Sequence, residues 1–381
     1  AGNVTFTGKI DGNAANRTLT VNSAGTTAFA GNVGADQPLG GLVTDGVGTT
    51  TVGQNGMPTT IAVDGASTMT FNDPVTIAGD LTFSGMDGTF AAGIMGMGGD
   101  DDLRLNFSAD TLLPAAVGAG FMTIRNFATG GGGTTIIDND ITTAGTQTYD
   151  DAVEVDVNLT LTGTTVTLNG HADAATGEMN SLDISGDLVL NSQLGRGVTG
   201  QLGNITTFGV TGSSTLNPPS EAGPQTIGTQ TYMGPVTLGA ATVILADAGA
   251  DVDFQSTVNG NQGLTINSSG TTTFGGLVGN LAPLSSLTTD VMGDTVINAA
   301  SINLQGSDLT AFNDGVTLGA TLTVTQTGAG DVSFGSTVDG DTMGPWSLSV
   351  VNPNVTTFGA DVGGVDPLNQ ITTDAGGSTV L

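Results

Sequence analysis

The 381-residue chain contains no cysteine, which excludes disulfide scaffolds, cysteine-based zinc sites and thiol catalysis. Basic residues are almost as scarce, because five lysines and arginines and one histidine stand against 35 aspartates and glutamates, for a net charge of −30. A chain of this charge repels phosphate backbones, so we expect no nucleic-acid partner. No stretch reaches the roughly 18 uninterrupted apolar residues of a membrane-spanning helix. We therefore expect a protein that is not transmembrane.

The chain also has few residues that favour helices. Glutamate occurs only at Glu154, Glu178 and Glu221, so the other 32 of the 35 acidic residues are aspartate. The short aspartate side chain bonds nearby backbone N–H groups and suits turns, whereas glutamate suits helix surfaces. The chain also has 62 glycines, and no long run combines helical spacing with cap signals. The composition predicts many short strands joined by turns.

A long internal repeat organises the whole chain. One phrase recurs with its aromatic residue at Phe71, Tyr149, Tyr232 and Phe312, at intervals of 78, 83 and 80 residues. Such a period is typical of arrays in which each unit packs on its neighbours. We interpret residues 1–381 as one continuous array. Its parts are a partial repeat at 1–67, a divergent repeat at 68–145, repeats at 146–228 and 229–308, and a partial repeat at 309–381.

Each repeat subdivides at intervals of about twenty residues. From the fourth repeat onward, apolar anchors fall at Phe254, Phe274, Val296, Phe312 and Phe334, separated by short alternating strands. Twenty residues is about one rung of a parallel β-solenoid, in which only stacking makes a core. About nineteen rungs at roughly 4.8 Å each would give a rod on the order of 90 Å long. A string of 80-residue antiparallel β-sandwich domains is the alternative.

Two stretches of the fourth repeat carry a resemblance to known proteins. The phrases at 264–276 (LTINSSGTTTFGG) and 287–290 (LTTD) resemble those of filamentous-haemagglutinin-like and autotransporter-type adhesins, which are bacterial surface proteins with repetitive β-helical shafts. The similarity covers essentially the whole chain and is weakest between about 90 and 135. It implies export, a right-handed parallel β-helix, and a shaft or adhesive role at the cell surface. It carries over no catalytic residues, and this sequence shows neither the secretion domain nor the receptor-binding tip of such proteins.

Few residues are candidates for chemistry. His171, the single histidine, would need Asp173 or another aspartate and an exposed serine to form a triad, but no Gly-x-Ser-x-Gly elbow is present. We interpret it as a solvated turn residue. The run Asp100–Asp102 offers carboxylates to Ca²⁺, yet it lacks the EF-hand spacing and the serial motif of calcium-binding β-rolls. A solvated acidic loop is the simpler interpretation, and Asp150-Asp151 is a weaker candidate. We predict no cofactor, leave any metal site unassigned, and expect at most loosely bound Ca²⁺.

The remaining motifs have structural explanations. Gly130–Gly133 lacks the following Lys-Ser/Thr of a phosphate-binding loop, so it predicts a turn or an insertion. Trp346, the single tryptophan, is expected in the core or over the edge of a rung. Thr-x-Thr pairs occur about once per repeat, too sparsely for the threonine ladder of an ice-binding solenoid. Asn-x-Ser/Thr sequons occur at about the frequency that composition alone gives. They lie at Asn3, Asn16, Asn106, Asn158, Asn204, Asn267 and Asn354.

The ends of the array indicate how it continues. Leu381 corresponds to Ile297 within the repeat, and Gly2 to about position 250 or 330, so both terminal repeats are incomplete. An uncapped solenoid exposes unpaired strand edges that template further pairing. We expect the chain to continue beyond both ends or to stack end-to-end into a fibre.

Together these patterns predict an extracellular structural protein that is not an enzyme, a segment of a β-solenoid filament or adhesin shaft. Its expected partners are copies of itself, in end-to-end or lateral contact, or flanking parts of a longer chain, together with cell-surface or glycan contacts. The alternative is a carbohydrate- or receptor-binding β-solenoid such as a tail-fibre or adhesin module, although only 4% of the residues are aromatic. A polysaccharide lyase or hydrolase is least favoured, because the chain has one lysine and one histidine.

Overall fold

The computed structural model describes residues 2–13, 17–54, 57–118, 123–195, 204–247, 249–374 and 376–381. Within these ranges the chain forms only strands, bridges and turns. They contain no helix that could span a membrane. The chain divides into two compact units, residues 1–186 with 199–203 and residues 187–198 with 204–381.

The strands of both units are short. Those of the first unit are β1 (Val4–Phe6), β2 (Thr18–Val21), β3 (Thr26–Phe29), β4 (Gly41–Thr44), β5 (Thr49–Val52), β6 (Thr59–Ala62), β7 (Thr68–Phe71), β8 (Val75–Ile77), β9 (Leu81–Gly85), β10 (Asp87–Phe90), β11 (Ile94–Gly96), β12 (Asp102–Phe107), β13 (Asp110–Leu113), β14 (Asn126–Gly130), β15 (Thr134–Ile137), β16 (Ile141–Thr142), β17 (Thr146–Tyr149), β18 (Ala152–Val155), β19 (Leu159–Leu168) and β20 (Ala172–Ala174). The residues of β21 (Met179–Leu190) are divided between the two units. Those of the second unit are β22 (Asn204–Val210), β23 (Ser214–Leu216), β24 (Ala222–Thr226), β25 (Gln230–Tyr232), β26 (Val236–Leu238), β27 (Thr242–Ala246), β28 (Val252–Phe254), β29 (Val258–Asn259), β30 (Gly263–Ser268), β31 (Thr271–Phe274), β32 (Ser286–Thr289), β33 (Asp294–Ile297), β34 (Ser301–Leu304), β35 (Thr310–Phe312), β36 (Gly315–Leu318), β37 (Leu322–Gln326), β38 (Val332–Phe334), β39 (Val338–Gly340), β40 (Ser347–Val351), β41 (Val355–Phe358), β42 (Gln370–Thr373) and β43 (Ser378–Val380).

The strands of the first unit form three parallel sheets, which we name faces a, b and c. Face a contains β1, β3, β5, β8 and β11 and reaches β16 through single-residue bridges at Val117. Face b contains β6, β9, β12, β14 and β17, and face c contains β2, β4, β7, β10, β13, β15, β18 and β20. The long strand β19 turns a corner, because Leu161 pairs on face a and Val166 on face b. One circuit through the three faces is one rung.

The second unit has the same plan, with faces d, e and f. Face d contains β22, β25, β28, β31, β33, β36 and β39, and face f contains β24, β27, β30, β32, β35, β38, β41 and β43. Face e runs from β23 through β26 and β29, crosses a bridge at Val278, and continues as β34, β37, β40 and β42. The strand pairs of the described residues are parallel. The predicted parallel β-solenoid is therefore confirmed, and the alternative of antiparallel β-sandwich domains is wrong.

Rungs are longer than the sequence spacing indicated. They lie roughly 22 residues apart, in about 16 turns, against the twenty residues and nineteen rungs that we expected. The expected anchors do not share one face. Phe254 and Phe274 stack on face d, whereas Phe312 lies on face f and ends a gap shorter than a full rung. The average of twenty residues therefore combined full-rung gaps along one face with a shorter gap between two faces, and this made the rung seem shorter than it is.

The long repeat is not a whole number of rungs. Tyr232 lies in β25 on face d, whereas the corresponding Phe312 lies in β35 on face f. Eleven strand positions separate them, counting the Val278 bridge, and three positions per rung make this three and two-thirds rungs. The first unit repeats the offset, because Phe71 lies on face c and Tyr149 on face b. Within each unit, the later copy of the phrase is thus displaced by one face from the earlier copy.

Stacked aromatic rings fill the core, as predicted. Phe312, Phe334 and Phe358 form a near-parallel column with ring centroids 5.2 Å apart at both steps. A similar column with steps of 5.1 and 5.4 Å contains Tyr232, Phe254 and Phe274. Offset ring pairs of this kind contribute about 0.5–1.5 kcal/mol beyond the burial of their area. The aromatic columns therefore tie consecutive rungs together.

One expected anchor points the wrong way. Phe274 stacks in register on Ile297, which is fully buried, while the neighbouring Val296 faces outward. Adjacent strand residues point to opposite faces, so choosing the wrong member of the Val-Ile pair inverts the assignment. Ile297, and not Val296, is the core residue of β33.

Candidate functional site

The outward side of face b carries an open groove of about 290 Å³, which we call the Arg104 groove. Five outward residues stack in register along its floor, one from each strand of face b. They are Thr60, Thr82, Arg104, Ala128 and Thr148. Four of the five side chains are small, and this leaves space above the sheet. A chain-like ligand running along the stack would therefore contact one polar or small side chain per rung.

A ridge of planar polar groups borders the groove. Arg125 binds Asp102 in a bidentate manner, with Nε 2.8 Å from Oδ1 and Nη2 2.7 Å from Oδ2, and it lies 3.7 Å from Asp80. Asn126 Nδ2 also donates to Asp102 Oδ1 at 2.9 Å. Hydrogen bonds from Arg125 are the main reason that the pKa of Asp102 lies below its usual value. Asp102 is therefore held as a carboxylate beside Asn126 and Arg125.

Arg104 brings a second positive charge into the groove. Its Nη2 lies 3.5 Å from Asp150 Oδ2, and both side chains are nearly half-exposed. Asp150 Oδ1 also accepts a 2.8 Å hydrogen bond from Asn169 Nδ2. Two of the five lysines and arginines of this acidic chain, Arg104 and Arg125, thus line or border a single groove. Such exposed ion pairs contribute little to stability. Their location beside the groove is therefore more relevant to binding than to the stability of the fold.

The run Asp100–Asp102 does not converge on one centre. Asp101 is buried and accepts the N–H of Gly79 at 2.9 Å, Asp102 binds Arg125, and Asp100 is exposed. A depression of about 440 Å³ lies beside Asp80, Asp100 and Asp101. Within the described ranges, however, no three His, Cys, Asp or Glu side chains are grouped to hold a metal ion. Asp101 serves as an acceptor that fixes the turn.

His171 lies just before β20 with its side chain half-exposed. Its Nε2 is 4.0 Å from Asp173 Oδ2, while its backbone carbonyl accepts the N–H of Val153 at 2.8 Å. The residue occupies the turn position that its Asn-Gly-His setting predicts, and it does not line the Arg104 groove.

Gly130–Gly133 ends β14 and forms the turn to β15. Gly131 and Gly132 have φ of 122° and 95°, a region that favours glycine. A Cβ on Gly133 would lie 1.4 Å from the carbonyl oxygen of Ala109 in the preceding rung. The run is therefore required by close stacking of turns, in agreement with the turn that the sequence predicts.

Trp346 is half-buried, and its Nε1 donates to Asp341 Oδ1 at 2.7 Å. Three of the described sequon asparagines form hydrogen bonds between rungs. Asn3 Oδ1 accepts the N–H of Thr26, and Asn158 Oδ1 accepts that of Ser181. Asn354 Nδ2 donates to the carbonyls of Gly328 and Gly330 at 2.9 and 3.1 Å. Asn16 and the side chain of Asn204 lie outside the described residues.

A second acidic cluster lies on face c and its following turns. The pKa of Asp138 is raised to about 6, first by burial and then by the neighbouring carboxylate of Asp156, with smaller effects of Glu154 and Glu178. Burial likewise raises the pKa of Glu154. The cluster concentrates repulsion between carboxylates at one corner of the first unit.

Sequence reasoning missed the Arg104 groove because its residues are brought together only by register. Asp80, Asp102 and Asn126 are separated by 22 and 24 residues, close to one rung. Comparisons with known protein families, with curated proteins and with solved structures found no match to this chain. The stacked parallel strands are consistent with a β-helical repeat protein. The functions proposed for the chain therefore rest on the fold and on the Arg104 groove.

Proposed function

We propose that this chain is an extracellular structural protein, a segment of a β-solenoid filament or adhesin shaft. The observation that carries the proposal is the continuous parallel pairing of strands on three faces within each unit. Each rung contacts only its neighbours, so the stabilities of the rungs and of the interfaces between them add along the stack. Such a structure provides stiffness and length rather than a closed pocket.

The one-face offset of the repeat also favours a shaft. The same phrase lies on face d at Tyr232 and on face f at Phe312, so consecutive repeats present it in different directions. A protein that bound one ligand through its repeats would place the phrase on a constant face. We also propose no catalytic role, since Asp102 in the groove and Asp150 beside it are each paired with an arginine.

The rung at 365–381 supports self-association. Ile371 is in register with the buried Leu348, yet 44% of its surface is exposed. The outer edges of β42 and β43 have no described strand beside them. Exposed edges of this kind pair readily with a further strand. We propose that a further rung, from another copy or from a flanking segment, covers this surface at the cell exterior.

Electron microscopy of the native material, with and without EDTA, tests this proposal. Long unbranched fibres with an axial repeat are the expected result. Fibres that dissolve in EDTA would add bridging divalent cations, in keeping with the charge of −30. Isolated particles at all protein concentrations would contradict the filament and leave a shaft fragment or a binding module.

The Arg104 groove supports a second candidate function, binding of a neutral polysaccharide. The Asp102, Asn126 and Arg125 side chains are planar and offer both donors and acceptors to neighbouring hydroxyl groups of a sugar. A glycan array with the whole protein and the Arg125→Ala variant tests it. Binding that is lost in Arg125→Ala and kept in a control, Lys9→Ala, is expected. Equal binding by both variants, or none by the unchanged protein, would exclude the groove as the site.

A further inference from the structure

Two corners of the solenoid share a buried Thr–Asp–Thr arrangement. Asp73 Oδ1 accepts hydrogen bonds from Thr44 Oγ1 at 2.6 Å and from Thr50 Oγ1 at 2.9 Å. Asp314 accepts from Thr289 Oγ1 at 2.6 Å and from Thr295 Oγ1 at 2.7 Å. The six residues are buried, with the carboxylates 1% and 4% exposed. In both corners a strand-ending threonine and the threonine six positions later share one carboxylate.

A third corner has the same residues in the same places. Thr129 and Thr135 are also six positions apart. Thr129 is in register with Tyr149, and Asp151 lies two residues after Tyr149. Thr135 is in register with Val153, on the other side of Asp151. Both threonines are fully buried and Asp151 is 3% exposed. The third trio therefore occupies the positions at which the other two trios converge.

The oxygens of this third corner are unsatisfied. Thr129 Oγ1, Thr135 Oγ1 and Asp151 Oδ2 are all buried without a hydrogen-bond partner, as is the hydroxyl of Thr111, which is in register with Thr135. Asp151 Oδ1 instead accepts the N–H of Gly132 at 2.8 Å. Buried polar atoms are nearly always paired, so three such residues in one corner indicate a further group that they bind.

A neighbouring substitution explains the difference between the corners. We call the corners of Asp73 and Asp314 saturated, because both threonine hydroxyls donate to the aspartate. Asn72 and Asn313 directly precede these aspartates, and each donates its Nδ2 to the carbonyl of the first threonine, at 2.7 and 2.6 Å. Asp150 occupies this place in the third corner and has no side-chain donor. It contacts Arg104 at 3.5 Å instead. The third corner thus lacks the bond that fixes the other two, and its carboxylate has turned toward the glycine turn.

We infer that the Thr129–Thr135–Asp151 corner binds one small monovalent cation, with sodium as the probe. Every unsatisfied atom is oxygen, and hard cations prefer carboxylate and neutral oxygen ligands. A single positive charge neutralises the single buried carboxylate, whereas calcium sites use six to eight oxygens and usually several carboxylates. The hydroxyl oxygens of Thr129 and Thr135 then bind the cation together with Asp151 Oδ2, whereas the corresponding threonines of the other two corners donate hydrogen bonds to their aspartate.

Thermal unfolding of the whole protein at pH 8 tests the site, with sodium chloride replaced by tetramethylammonium chloride at constant ionic strength. Ligand that binds only the folded state raises Tm. We expect sodium to raise the Tm of the unchanged protein and of Asp314→Asn by about 2–4 °C, a shift that corresponds to roughly tenfold or less excess over Kd. Asp151→Asn should lose this rise. The two variants remove the same charge, so general screening affects them equally.

Thr135→Val and Thr295→Val provide a second pair that keeps every carboxylate. Thr135→Val should weaken the sodium-dependent rise in Tm, while Thr295→Val should retain it. An equal sodium response in Asp151→Asn and Asp314→Asn, or in the two valine variants, would overturn the inference. Water or a proton at Asp151 would produce that result, because neither depends on sodium.

Discussion

Asp73 and Asp314 hold the corners of their units by accepting hydroxyl hydrogen bonds from two threonines each. Asp102 has a different setting, since Arg125 binds it in the open groove. The high aspartate content predicts carboxylates that bond backbone N–H groups in turns, and Asp101 does so by accepting the N–H of Gly79. The buried trios could not be predicted, because their members are distant in the chain.

The saturated corner should contribute measurably to stability. Asp314→Ala leaves the hydroxyls of Thr289 and Thr295 without their acceptor, and buried unpaired groups cost about 1–3 kcal/mol. We expect a loss of that size in the free energy of unfolding, measured by urea denaturation. Asp308→Ala, at an exposed aspartate, is the control and should change stability by less than about 0.5 kcal/mol. Equal losses in both variants would contradict the role of the corner.

Acidification should stabilise the first unit before it destabilises it. The pKa of Asp138 is about 6 in the folded chain, against an ordinary value of 3.8. Below about pH 6 the folded state therefore binds a proton that the unfolded state does not yet bind, and stability rises as the pH falls toward 4. We expect the urea midpoint to increase from pH 7 to pH 5. Asp138→Asn should reduce that increase, and an unchanged pH profile in this variant would refute the assignment.

At the scale of the strand, alternation predicted most of the core but not its register. Short alternating runs identified the strands, and the aromatic anchors Phe254, Phe274 and Phe334 are buried as expected. The prediction that Val296 is a core anchor was wrong because both residues of its Val-Ile pair are apolar. Only the pairing of Ile297 with Phe274 shows that Ile297 faces inward. The Arg104 groove could not be predicted for the same reason, because its floor forms only when the five strands of face b are aligned in register.

The columns of stacked rings make a strong test of the core. Phe334 lies between Phe312 and Phe358, with centroids 5.2 Å from each. Phe334→Ala should lower the free energy of unfolding by about 3–5 kcal/mol, because it removes a buried ring and leaves a cavity. Val296→Ala on the outward side of β33 should cost well under half of that. Similar losses in the two variants, measured by urea denaturation, would place Val296 in the core after all.

At the scale of the whole molecule, the sequence supplied two periods whose relation it could not fix. A repeat of about 80 residues with echoes of about twenty predicts four rungs per repeat. The structure has rungs of roughly 22 residues, and eleven strand positions separate the two copies of the phrase within each unit, so the phrase moves by one face there. Only the assignment of strands to faces, as for Tyr232 on face d and Phe312 on face f, reveals this offset.

Single-molecule stretching of the second unit tests the load-bearing role most directly. The chain has no cysteine, so Met233→Cys and Val365→Cys introduce the only two thiols for attachment. Both lie at exposed turns and are six rungs apart along face d. We predict extension in successive steps of roughly 22 residues. Each step is about 75 Å at 3.3–3.6 Å per residue, and the remaining rungs continue to bear force. Release of the whole segment in one event would contradict a stack of independently load-bearing rungs.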